Sequence, residues 1–317
     1  MFEHSQAQRS GRIPVMLRAI VVGLLVGMIP ANVWLVFLIV LKLPVPLAVA
    51  AELLFLAVYI WWARGGGPPW QLRAVRSDFF RVRSLSGGQW LWGIIAAISF
   101  AVTVHSAIAL LFRFVAYPAA AFRQGYDISY VPTRGLQYLV CIISALSAGV
   151  CEEIGFRGYM QRPIEERHGV FVAILVSSLM FTLLHLTKGW ALVGMVPIVF
   201  GAGLLLGTLA RAAGTLWFGI LGHWLMDIGL FLFWWTQVAG TFHQLPISQT
   251  GMDRTFIWEC LIFAAALTTL LSATAMLLKL RDTDAAPPFR ALAAGADMSV
   301  TAVPGPNSRN VRRGAGR

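Results

Sequence analysis

Apolar residues fill this chain in stretches of about 20, the length needed to cross a bilayer's hydrocarbon core as a helix. About eight such stretches are predicted, near 15–41, 45–62, 90–112, 136–160, 169–187, 190–210, 215–237 and 256–279. The first contains Pro30, which a membrane helix tolerates as a kink. It is long and lacks a small-residue cleavage site, so it reads as a retained span and not as a signal peptide. The second is short and is read with the first as a two-span hairpin. The predicted fold is all-α, a polytopic transmembrane helical bundle.

The breaks carry their own information. Residues 63–88 read "ARGGGPPWQLRAVRSDFFRVRSLSGG", a Gly/Pro cluster that stops any helix, with five arginines against one aspartate. Residues 281–317 are rich in Ala, Gly, Pro and Arg, a composition that predicts a disordered tail. No repeat of 20–50 residues is visible.

Composition agrees with the pattern. Of 317 residues 58% are hydrophobic and 12% charged, about half the charged share of a soluble chain. Mean hydropathy is +0.72. The net charge of +11 does not point to nucleic acid, because the basic residues lie mostly between spans and in the tails. If all eight stretches cross and the N-terminus is cytoplasmic, most of the 25 basic residues fall on the cytoplasmic side, as the positive-inside rule requires. Both termini are then cytoplasmic, and the Arg-rich composition fits a bacterial plasma membrane. Trp61, Trp62, Trp70, Trp90 and Trp92 read as interfacial anchors. The arginines of 63–88 read as topological determinants, with anionic lipid as a further partner. The three cysteines, Cys141, Cys151 and Cys260, sit in apolar surroundings and read as buried thiols, not as a disulfide framework.

Ionisable residues inside spans are costly and by default mark function. They are Glu152, Glu153 and Arg157 in "CEEIGFRGYM", His185 in "FTLLHLT", His223 and Asp227 in "GHWLMDIG", and His105. Gly169 marks a chain reversal. Counted from that turn, Glu152 and His185 each lie about 24 Å along antiparallel helices. The break "RAAGT" puts His223 about 15 Å into its own span. All three reach one level near mid-bilayer. Glu153 and Arg157 are i, i+4 and face each other as an ion pair, and His223 and Asp227 form a second i, i+4 edge. Gly149, Gly155 and Gly158, with Gly201, Gly203 and Gly207, would allow close helix approach. His105 has no evident partner and reads as a packing residue, and Cys151 as an inert thiol.

Such a cluster can activate water through a glutamate base with imidazoles orienting it, or bind zinc through Glu152, His185 and His223. Either route gives hydrolysis. H-E-x-x-H and G-x-S-x-G are both absent. A different class, a non-catalytic membrane protein or proton-coupled transporter, would use the same buried groups as a relay, but no related halves are visible.

Three motifs in order carry a resemblance. "EEIGFR" at 152–157 resembles the E-E-x-x-x-R motif, "FTLLH" at 181–185 the F-x-x-x-H motif and "HWLMD" at 223–227 the H-x-x-x-N motif of the CAAX-protease and bacteriocin-processing (CPBP, or ABI) intramembrane proteases. The resemblance covers about 135–240, a catalytic core between the N-terminal spans of 1–134 and a last span in 241–280. It implies an endopeptidase acting on a membrane-associated peptide or protein, with Glu152 as general base, His185 helping to hold the water, and His223 and Asp227 at the oxyanion. Glu153 and Arg157 would be supporting residues. The departure is Asp227, where the family has Asn. An ionised carboxylate repels an oxyanion, so Asp227 is protonated, contacts His223 or helps to hold a metal.

Overall fold

The computed structural model describes residues 12–125, 127–186 and 194–284. Among them every regular element is a helix. Helix α1 spans Arg12–Ala31 and continues, after a break at Asn32, through Val33–Leu35 and a wide π-helical stretch, Val36–Val40. Then follow α2 (Val45–Ala63), the short α3 (Arg73–Phe79), α4 (Gly87–Phe114) and α5 (Ala119–Gly125). The core helix α6 (Arg134–Glu152) runs into π-helical turns at Glu153–Met160 and then into α7 (Gln161–His168). Helices α8 (Val170–His185), α9 (Val196–Ala213) and α10 (Trp217–Gly229) complete the site region. Further π-helical turns, Leu230–Trp235, extend α10, and the long α11 (Arg254–Asp284) closes the bundle.

The boundaries follow local chemistry. Ser86 and Gln89 form a capping box at the start of α4. The Thr133 hydroxyl accepts from the Leu136 amide at the start of α6. Gly214, in the left-handed region, ends α9.

Among the described residues seven helices are long and apolar enough to cross a membrane. The eighth expected span is shorter: α8 has 16 residues, about 24 Å of helix against a hydrocarbon core of about 30 Å. The end of that predicted span, the start of the next and the expected tail beyond Asp284 lie outside the described residues. The stretch Arg134–His168 is the most enclosed, with 72% of its apolar window buried, against 17% for the first span and 22% for the last. Helix α6 and its continuation are therefore the axis around which α1, α2 and α10 pack.

Small residues set the closest approaches. A Cβ on Gly155 would lie 2.5 Å from the Gly27 Cα of α1. One on Gly203 would meet Ser178 of α8 at 3.0 Å. Gly201, expected at a helix contact, faces open space, because α9 turns its Gly203–Gly207 edge inward.

Candidate active site

The backbone widens where the polar residues are densest. Helix α6 passes into π-helical turns immediately after Glu152, and α10 does so three residues after Asp227. Such turns recur at functional sites because they re-aim side chains within an otherwise regular helix.

Glu153 is fully buried, and its Oε1 accepts from two donors. One is Arg157 Nη1 at 2.9 Å, the other His223 Nδ1 at 2.9 Å. The ion pair read from sequence is present, but its carboxylate is shared with α10. Arg157 also donates to the Gly203 carbonyl of α9 at 3.3 Å. One carboxylate and one guanidinium thus tie α6, α9 and α10 together.

With Nδ1 bound to Glu153, His223 turns Nε2 toward two more carboxylates. It lies 3.8 Å from Glu152 Oε2 and 3.6 Å from Asp227 Oδ2. Both separations exceed a direct hydrogen bond. Glu152 Oε2 is buried and has no hydrogen-bond partner. Asp227 contacts His223, one of the three roles its departure from the family pattern allowed.

His185 sits at the C-terminal end of α8, where Nδ1 donates to the Phe181 carbonyl at 2.8 Å. In the neutral ring this makes Nε2 the acceptor nitrogen. Glu152, His185 and Asp227 line one cavity of about 400 Å³. Its other walls are largely apolar and include Trp34, Ile108, Phe181, Ala202 and Trp235. His223 stands behind that surface, reaching it through Glu152 and Asp227.

Three features were not read from the sequence. Phe181 is a hub: its ring centroid lies 4.6 Å from the Arg157 guanidinium carbon, 4.5 Å from the His185 ring and 5.9 Å from the His223 ring. Its place four residues before His185 was the available signal. Glu52 of α2 is fully buried and accepts from the Ser147 hydroxyl at 2.7 Å. A lone carboxylate in an apolar span was its signal. The Glu153–His223 bond joins residues 70 apart and left no local trace. His105, read as a packing residue, donates from Nε2 to the Met226 carbonyl at 2.9 Å. Cys151 is fully buried.

Zinc binding needs several donors converging on one point. Among the described residues no group of three or more His, Cys, Asp or Glu side chains is placed to hold a metal ion. In His185 and His223 Nδ1 is held by the Phe181 carbonyl and by Glu153, which leaves Nε2 of each ring as the nitrogen that would hold a metal together with Glu152.

Residues 134–229, from the first residue of α6 to the last of α10, match the family model described as type II CAAX prenyl endopeptidase Rce1-like. Over this segment, about a third of the chain, the protein is similar to that family. Comparison with curated proteins and with solved structures gave no match. The matched segment contains Glu152, Glu153, Arg157, His185, His223 and Asp227, all six residues of the cluster. The apolar helices make the chain an integral membrane protein.

Proposed function

We propose that this chain is an intramembrane endopeptidase that cleaves a peptide bond of a membrane-associated substrate with water activated by Glu152. The observation that carries the reading is Glu152 Oε2, which accepts no hydrogen bond, lies 3.8 Å from His223 Nε2 and belongs to a side chain in the wall of an apolar cavity shared with His185 and Asp227. A carboxylate desolvated in this way is a competent base, and water held against it is screened from the bulk.

In the reaction, Glu152 takes a proton from water while the oxygen attacks the scissile carbonyl carbon. The tetrahedral oxyanion is stabilised by His223 as an imidazolium, with Nδ1–H held by Glu153 and Nε2–H on the side of Glu152 and Asp227. As the C–N bond breaks, Glu152 returns the proton to the leaving amine. Asp227 acts through His223 on this reading, not as a direct donor to the oxyanion. No step requires a metal.

The family description names a prenyl endopeptidase, and a cavity of about 400 Å³ with mostly apolar walls suits an apolar or lipidated peptide segment. The test uses purified full-length protein in proteoliposomes and a quenched fluorescent peptide, with and without a prenylated cysteine. Glu152→Gln and His185→Ala should each reduce turnover by about 100-fold or more. Equal turnover in wild type and both variants would overturn the assignment.

A further inference from the structure

We propose that the turn after α2 is a binding site for the headgroup of an anionic phospholipid. A second cavity, of about 310 Å³, lies there, away from the catalytic cluster. It is lined by the last turns of α2, by Arg64, Gly65 and Gly66, and by Arg73 and Val82.

The turn is built to present cations. Gly65 has φ +99°, and a Cβ there would lie 2.8 Å from the Arg73 carbonyl oxygen, so only glycine brings Arg64 and Arg73 to one cavity. The loop's acceptors are drawn away by a third arginine. Arg76, 2% exposed, donates to the carbonyls of Trp62, Gly66, Gly67 and Pro69 at 2.7–3.0 Å. The one carboxylate of this stretch, Asp78, is taken by Arg162 through two bonds, at 2.9 and 3.1 Å. Arg64 and Arg73 are exposed and, among the described residues, neither forms an ion pair. Two unneutralised guanidinium groups at one cavity match the oxygens of a phosphate.

The surroundings select a lipid over a free anion. Leu54, Val58 and Trp61 follow one another at helical spacing along α2 and are 68%, 51% and 55% exposed. Their stripe leads from the apolar span to Arg64. An acyl chain laid on it places the phosphate between Arg64 and Arg73, with Trp61 at the glycerol level.

The experiment measures the thermal unfolding midpoint of the full chain in neutral detergent. Additions are phosphatidylglycerol, phosphatidylcholine of the same acyl chains, or inorganic phosphate. Phosphatidylglycerol should raise the midpoint by several degrees in a concentration-dependent way, and the other two should not. Arg64→Gln with Arg73→Gln should abolish that rise and leave the lipid-free midpoint unchanged. Should the double variant fold poorly, Arg73→Gln alone should lose part of the rise and Arg73→Lys should retain more of it. An equal rise with phosphatidylcholine, reproduction by inorganic phosphate, or an undiminished rise in the glutamine variants would each overturn the proposal.

Discussion

At the residue scale, the two adjacent glutamates have opposite surroundings. Glu153 accepts from Arg157 and His223 through one oxygen, whereas Glu152 Oε2 accepts no hydrogen bond and lies 3.8 Å from His223. Removing one member of a buried ion pair leaves the other charge uncompensated and costs about 3–5 kcal/mol. Arg157→Ala should therefore destabilise the protein by roughly that amount in detergent unfolding. Glu152→Gln should leave stability within about 1 kcal/mol or raise it, because a carboxylate whose Oε2 accepts no hydrogen bond becomes a neutral amide. A large stability loss in Glu152→Gln would show that this side chain is structural. Asp227 gives a further contrast. An amide can still contact His223 and adds no charge near a developing oxyanion, so Asp227→Asn should keep turnover within about tenfold. Asp227→Ala should lose more, as measured by initial rates at saturating substrate.

At the scale of elements, the α6 axis and its neighbours decide what was legible in the sequence. Long apolar stretches fixed the spans, because a bilayer demands length and hydropathy and little else. Gly169 and Gly214 marked helix ends through their backbone freedom. The polar motifs marked which helices carry the cluster. The π-helical turns at Glu153–Met160 were not legible, since widening a helix by one residue per turn leaves no compositional mark. Nor was the shared use of Glu153, a contact made across elements. Gly155 lies inside those wide turns, against Gly27. Gly155→Ala would overpack a backbone-to-backbone contact and should cost about 1–3 kcal/mol, read as a lowered unfolding midpoint. Near the end of α4, Arg113 donates at 2.8 Å to Asp253, which lies between the spans, just before α11. That bond holds the Asp253 carboxyl below its usual range. A depressed folded value means that the stabilisation is present above the unfolded carboxylate value, about 3.9, and is lost as pH falls through the folded value. Wild type and Asp253→Asn should thus differ in midpoint at neutral pH and converge in strong acid. Curves that stay parallel would show that the bond contributes nothing.

For the whole molecule, the main feature is an apolar cavity walled by α1, α4, α6, α8, α9 and α10, with Glu152, His185 and Asp227 on its wall and Asp127 on the segment before α6. Ala148 lines it one turn before Glu152. Ala148→Phe should fill part of this space and reduce turnover of a membrane peptide by about tenfold or more, while folding is retained. Unchanged kinetics in a folded Ala148→Phe protein would place the substrate elsewhere. The short α8 belongs to the same design. It is about 24 Å long and ends at His185, so an imidazole is delivered inside the bundle instead of at its far surface.

The wide turns that begin at Glu153 also bear on how this chain can change length. A π-helical stretch behaves as a helix that has absorbed extra residues, so it is where the core helix could lose one residue and return to regular winding. Removing that residue would leave α7 close to its present direction, whereas a residue removed from the regular turns of α6 would rotate everything beyond it by about 100°. The disturbance would stay within Glu153–Met160, the turns that carry Glu153 and Arg157. The bundle could survive this shortening and lose only the carboxylate that holds His223.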